Sequence, residues 1–192
     1  MSIFRWAAPV FKWSSRRWTQ DDFEWLAYQL RPSVPMGGRL LDLGGGTGEL
    51  GTGVAAALGV EVVVADATPQ MLRRVDPQPF VSVTLARAEA LPFPDDFFDA
   101  ALCCDALHHF QDQEAAVAEL ARVVRPGGAI LLLEMNASAR LSGLLALAER
   151  LLGEPGAFFS PAELVDLLAR HGITGRAIPQ GSLSYMFLGA VA

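Results

Sequence analysis

The chain has 192 residues, 52% of them hydrophobic, a formal net charge of −6 and two cysteines. That length suits one domain with a core able to stand without metal or disulfide support. The acidic balance excludes nucleic acid as an obligate partner, because phosphate binding needs concentrated Lys and Arg. The most apolar charge-free stretches, around Ala129–Leu133 and Leu141–Ala148, fall far short of the roughly 20 residues that a spanning helix requires.

The first 31 residues hold all four tryptophans, Trp6, Trp13, Trp18 and Trp25, with Phe4, Phe11 and Phe23. Pro9 interrupts any single long helix, and Thr19 followed by Asp21 and Asp22 marks a helix start that must end before Pro32. This segment is expected to form a helical cap over the carboxyl edge of the core. Phe4, Phe11, Trp18 and Trp25 recur every seven residues, so the cap either covers sheet edge or encloses an apolar or aromatic ligand. Interspersed Arg5, Lys12, Arg16 and Arg17 add transient membrane contact as a third reading. Basic residues without an uninterrupted apolar run do not read as a secretory signal, so the cytoplasm is the expected compartment.

From Arg39 onward, short apolar runs alternate with helical segments. Arg39–Leu43, Glu61–Asp66, Phe80–Ala86, Asp99–Cys104 and Gly128–Glu134 have the length and Val/Ile/Leu content of strands. Continuous runs of this kind suit parallel strands covered on both faces. Helices are expected at Leu50–Leu58, Thr68–Val75, Gln111–Val124 and Ala137–Leu152, which makes the fold a doubly wound α/β sheet. Cys103 and Cys104 are adjacent in a strand and should face opposite sides, unable to bridge. A further helix is signalled by Ser160 as N-cap, Pro161 in the first turn and Glu163 three residues on. Ile173–Ile178 and Leu183–Ala190, separated by Pro179, Gln180 and Gly181, then read as a closing hairpin, its last strand antiparallel to the sheet.

The strongest motif is the run from Leu40 to Glu49, LLDLGGGTGE. A strand delivers the chain to a glycine-rich turn that opens a helix, and the missing Cβ atoms let backbone pass close under a nucleotide-like ligand. Gly46-Thr-Gly48-Glu-Leu-Gly51 also satisfies the dinucleotide pattern G-x-G-x-x-G, with Asp66 about 20 residues on. In a dinucleotide site, however, the first glycine follows the strand directly, a place held here by Gly44. Asp42, inside the strand, suits a cofactor with an ammonium group and no pyrophosphate. The register therefore favours S-adenosylmethionine over a nicotinamide cofactor. Asp66 closes the second strand, where a carboxylate can accept from both ribose hydroxyls; its alternative role is to cap the helix at Thr68-Pro69.

With these motifs in order, the sequence resembles the class I (Rossmann-like) S-adenosylmethionine-dependent methyltransferases, in particular the small ubiquinone/menaquinone-type branch. LLDLGGGTG resembles the cofactor loop and VVVADATPQML the ribose-binding strand with its helix. AEALPFPDDFFDAALCCDALHHF resembles the adenine-contact loop leading through the fourth strand, and LARVVRPGGAILLLE the approach to the fifth. The resemblance implies a single domain over residues 1–192 with a three-layer, mainly parallel sheet of order 3-2-1-4-5-7-6, strand 7 antiparallel. It also implies that Gly44, Gly46 and Gly48 approach the methionine part, that Asp66 holds the ribose, and that Ala67 and Met71 flank the adenine. Ala88 and Glu89 would offer contacts to the adenine edge, and Cys104 and Asp105 would line the methionine side. Arg87 departs from the family pattern, which places an aspartate there to accept the adenine amino group; an arginine cannot accept.

The implied reaction is methyl transfer to a small, apolar or aromatic acceptor. His108 and His109, in the turn after the fourth strand, are the candidate bases. Packing in that turn is the alternative for both, and His171 reads as a helix C-cap. No Cys/His spacing suggests a metal. Two other functions remain open on the sequence: a non-catalytic adenosylmethionine-binding or assembly protein with the same fold, and an NAD-dependent oxidoreductase.

Overall fold

A computed structural model describes residues 18–137, 157–181 and 183–192. The helix expected at Ala137–Leu152, the aromatic repeat before Trp18 and the basic residues among it lie outside the described residues, except Ala137, which is in a turn. In chain order the elements are α1 (Gln20–Leu30), β1 (Arg39–Leu43), α2 (Glu49–Leu58), β2 (Glu61–Asp66), α3 (Pro69–Leu72), β3 (Val81–Leu85), β4 (Phe98–Cys104), a 3₁₀ turn (Leu107–His109), α4 (Gln113–Val123), β5 (Val124–Met135), α5 (Pro161–Arg170), β6 (Ile173–Pro179) and β7 (Ser184–Val191).

The seven described strands form one sheet of order β3-β2-β1-β4-β5-β7-β6. β1 pairs in parallel with β2 and β4, β2 with β3, and β4 with β5. β7 inserts antiparallel between β5 and β6. This is the strand order and direction expected from the resemblance. β5 begins earlier than the apolar run Gly128–Glu134: Phe98 pairs with Val124, then a register shift absorbs the Pro126-Gly127-Gly128 turn before Ala100 meets Ala129.

The continuous apolar runs follow from burial on both faces. Successive side chains in a strand point to opposite sides, so Leu41, Leu43, Ala101, Cys103, Ile130 and Leu132 pack with Leu120, Leu164 and Leu168 under α4 and α5. Leu40, Val62, Val64, Leu102 and Leu131 pack on the other face with Val54, Leu26 and Leu30. Each such leucine or valine withdrawn from water contributes about 1.5–3 kcal/mol. Cys103 and Cys104 accordingly take opposite faces, both as free thiols.

The helix starts carry the signals read from the sequence. Thr19 and Ser160 each close a capping box, with Asp22 and Glu163 as the reciprocal carboxylates. The placement of α1 corrects one expectation. It does not lie over the carboxyl edge of the sheet; it packs beside α2, with Arg31 Nη2 donating to Ala57 O (3.0 Å). The cause is its stripe of Leu26, Ala27 and Leu30, which is needed to close that face of the core. Trp25 points away from the stripe and is 45% exposed. α3 is a single turn rather than the helix expected over Thr68–Val75.

Candidate active site

The carboxyl ends of β1, β2 and β4 converge on one place. β1 ends at Leu43, so Gly44 is the first residue of the turn. Gly44, Gly46 and Gly48 all have positive φ (69°, 57° and 73°), a region that L side chains enter at a cost of about 1–2 kcal/mol. Gly48 is the N-cap of α2 and offers no side chain to its amides; the Gly51 amide in the first turn is met from below by Asp42, which leaves the Glu49 and Leu50 amides to an external acceptor or to solvent. A Cβ on Gly44 would stand 2.5 Å from Ala106 Cβ and 3.4 Å from the Phe110 ring. The glycine loop therefore lies against the turn that carries the two histidines.

That contact makes an expected result. Gly44→Ala should destabilise the fold by about 2–4 kcal/mol, from backbone strain and overpacking together. Gly46→Ala, whose Cβ would meet only Met71 Cε at 3.6 Å, should cost about 1–2 kcal/mol from strain alone. Urea unfolding of the two variants measures the difference, and equal losses would contradict the packing argument.

Asp66 joins the loop to the next strand. Its Oδ2 accepts from Gly46 N (3.0 Å) and its Oδ1 from Thr68 N (2.7 Å). Ionised, the group has about four lone-pair sites, so two remain for hydroxyl donors. The helix-cap alternative for Asp66 is not taken: Thr68 is the N-cap of α3, and Asp66 braces the turn that precedes it. Ala67 is exposed beside it, and Met71 reaches over Gly46.

Asp42 sits beneath this loop. It is 2% exposed and accepts from Gly51 N at 3.2 Å. Burial pushes its carboxyl up to about 7, the Gly51 N–H opposes the rise, and the charge of Asp66 adds to it. Gly51 lacks a Cβ because Asp42 occupies that space, its Cγ only 2.6 Å from where one would sit. The third glycine of the G-x-G-x-x-G match thus serves the packing of α2 on β1.

Ala88 is buried in the core, and Glu89 is engaged. Glu89 Oε1 accepts from Gln111 N (2.9 Å) and Asp112 N (3.2 Å), while Oε2 meets Arg87 Nε at 3.3 Å. Partial burial would raise this carboxyl, but N–H groups of Glu89, Asp112 and Gln111 and the Arg87 guanidinium hold it below the usual range. Arg87 also donates to Gln111 Oε1 (3.1 Å). Its cation is thereby spent on protein partners, and Glu89 has its oxygens committed to the segment leading into α4.

At the end of β4, Asp105 takes the left-handed conformation (φ 47°), which is costly for a residue with a side chain and recurs at functional sites. Cys104 is partly buried, its thiol pushed well above the usual range by burial and by the charges of Asp105 and Glu134. The histidine turn follows. His108, 4% exposed, meets Glu134 Oε2 through Nδ1 at 2.8 Å, and its ring stacks on Phe158 at 4.4 Å. Glu134 Oε1 accepts from Leu107 N (3.0 Å). His109 lies 4.0 Å from His108 ring to ring. Burial, then the neighbouring His108, lowers His109 to about 4, so it is a weak base at neutral pH. His171 caps α5 and meets Glu114 at 3.1 Å, well removed in role from this turn.

Two residues here escaped the sequence reading. Glu134 ends an apolar strand, and a lone carboxylate in that position was the available signal, the same one that marks Asp66. Gln113 gave none, yet its Nε2 donates to Leu107 O (3.0 Å) and Ala157 O (2.9 Å), fixing the Phe158 segment to the histidine turn. A groove of about 350 Å³, lined by Phe158, Phe159, Glu163, Asp166, Leu167 and Arg170, runs along α5. Among the described residues no cluster of three or more His, Cys, Asp or Glu could hold a metal ion, and no helix is long and apolar enough to cross a membrane.

Comparison with known proteins bears on the fold and the family. Residues 41–132 match a family described as "Methyltransferase domain". The ubiquinone/menaquinone biosynthesis C-methyltransferase UbiE of Chromobacterium violaceum is 38% identical over 120 residues, 58% of this chain and 49% of that protein. The chain thus spans about half the length of the curated relatives it matches. Among solved structures, the YcgJ protein of Bacillus subtilis aligns over 90% of this chain and 99% of its own, with a TM-score of 0.71 at 20% identity. Human N-acetylserotonin methyltransferase, solved in complex with SAM, aligns over 90% of this chain and 55% of its own, with a TM-score of 0.68 at 18% identity.

Proposed function

We propose that this chain, which carries a methyltransferase domain with the class I Rossmann-like fold, transfers a methyl group from S-adenosylmethionine to a small apolar or aromatic acceptor. The observation that carries the reading is the junction of Asp66 with the glycine loop. A carboxylate with lone pairs to spare sits at the tip of β2, bonded to the Gly46 N–H, beside a loop of three left-handed glycines. That arrangement suits a nucleoside whose ribose meets Asp66 and whose amino-acid part runs along the glycines towards Asp105. The first two amides of α2, which receive no side-chain cap from Gly48, favour a carboxylate there.

When bound, S-adenosylmethionine supplies a methyl carbon activated by a cationic sulfur. The chain's share is then alignment and exclusion of water, with a base required only where the acceptor must lose a proton. Ala88 and Glu89 contribute backbone near the adenine edge, because the Glu89 carboxylate is already committed to Gln111, Asp112 and Arg87. Phe110 against the glycine loop and Phe158 on His108 supply the apolar walls that favour an apolar or aromatic acceptor. The dinucleotide reading is disfavoured by register, since the turn begins at Gly44 and Gly51 packs on Asp42.

The test is transfer of label from methyl-labelled S-adenosylmethionine to a panel of phenols, quinols, amines and carboxylates. Labelled product from at least one aromatic acceptor is expected. Cofactor binding with transfer to none would favour a non-catalytic binding protein.

A further inference from the structure

The turn after β4 and the end of β5 form an arrangement that the cofactor site does not require. His108 and Glu134 are each 4% exposed, and two polar side chains are buried at such depth only when their hydrogen bonds are met. Glu134 accepts at both oxygens, from Leu107 N and at His108 Nδ1. An ionised carboxylate has no proton to give, so a 2.8 Å contact with Nδ1 requires the imidazole proton on that nitrogen. The basic lone pair then falls on Nε2.

Resting on the methyltransferase reading, we propose that Glu134 is a positioning residue that fixes this tautomer and orientation, making His108 the base for an acceptor whose methylated atom sheds a proton. The acceptor is then of the class of phenols, enols or other protonated nucleophiles, and not a tertiary amine or thioether. In the step, the acceptor's lone pair forms the new bond to the methyl carbon as the carbon–sulfur bond breaks. The acceptor proton passes to His108 Nε2, and the imidazolium formed is balanced by Glu134.

The surroundings match this use. The turn abuts the glycine loop through Ala106 and Phe110. Among the described residues, the titratable groups near the dyad include His109 on the same turn, Asp105 just after β4, Cys103 and Cys104 from β4, and Tyr185 from β7. Burial raises both thiols and the Tyr185 phenol, and Glu134 adds to each. These three stay neutral near pH 7, and His109 is held neutral as well. Phe158, stacked on the ring, shields it from water.

The test uses the full chain labelled with ¹⁵N-histidine, with and without S-adenosylhomocysteine. Long-range ¹⁵N spectra of the wild type are expected to show His108 with its proton on Nδ1, and Nε2–H would overturn the proposal without any variant. In Glu134→Gln the single amide oxygen is needed by the Leu107 N–H, so the amide nitrogen donates to Nδ1 and the proton moves to Nε2. That variant should keep its adenosylhomocysteine affinity, measured by calorimetry, and lose about a hundredfold in kcat towards phenols, together with the histidine limb of its pH profile. An unchanged kcat and profile, or wild-type transfer confined to tertiary amines and thioethers, would overturn the assignment. Failure of the wild type to bind adenosylhomocysteine would instead strike the methyltransferase reading itself.

Discussion

Asp66→Ala is expected to weaken S-adenosylhomocysteine binding by about a hundredfold or more. Two effects combine. On the proposed reading the carboxylate's unused lone pairs accept from both ribose hydroxyls, and hydrogen bonds to a charged group contribute about 1.5–3 kcal/mol each. At about 1.4 kcal/mol per tenfold, losing two of them reaches that figure. The second effect is on the loop, because Gly46 N–H and Thr68 N–H lose their partner at the same time. Asp66→Asn separates the two: its single carbonyl oxygen can hold one of those N–H groups, so the loop is partly kept while the charge is lost. Calorimetry should therefore rank wild type above Asn and Asn above Ala. Equal affinity in wild type and Ala would remove Asp66 from the site.

The second large effect concerns pH and the fold. Asp42 is buried beneath the glycine loop and titrates near 7, against about 4 for an aspartate in the unfolded chain. Between these values the folded state binds the extra proton. Stability is therefore greatest below the unfolded value, falls as pH rises through the window from about 4 to about 7, and levels off above it. The full drop from this one group is at most about 4 kcal/mol. Other carboxylates act in the opposite sense: Glu119, Glu114 and Glu163 are held below their usual range by Arg122, Arg170 and Ser160. The contribution of Asp42 is accordingly read as a difference. Asp42→Asn should gain stability relative to wild type as pH rises from 5 to 8, and urea unfolding across that range measures it. A pH-independent difference between the two proteins would contradict the buried-carboxylate account.

Much of the fold was legible because its signals are local or periodic. Strand runs without polar interruption revealed a sheet covered on both faces, and the boxes at Thr19 and Ser160 marked two helix starts to the residue. The β5 boundary was less legible, because Pro126, Gly127 and Gly128 read as a turn and only the pairing with Phe98 draws Val124 into the sheet. α1 was misplaced for a related reason: its aromatic residues drew attention to the site, whereas Leu26 and Leu30 decide which face it covers.

The site divides in the same way. Glycines and carboxylates at strand ends can be read from sequence, since strand plus turn fixes where they point. Partners from distant elements cannot. That Glu89 would be spent on the amides of Gln111 and Asp112, and that Glu134 would meet Nδ1 of His108, depends on distant segments coming together, and that Asp42 would face Gly51 from below depends on how α2 packs on β1.

The most direct measurement is amide chemical-shift mapping as S-adenosylhomocysteine is titrated into the ¹⁵N-labelled chain. The largest shifts are predicted at Gly44 to Gly48, Asp66 to Met71, Ala88 to Glu89 and Asp105 to Phe110. Shifts confined to the α5 groove around Leu167 and Arg170, or none at millimolar nucleoside, would contradict the assignment of this loop as the cofactor cradle.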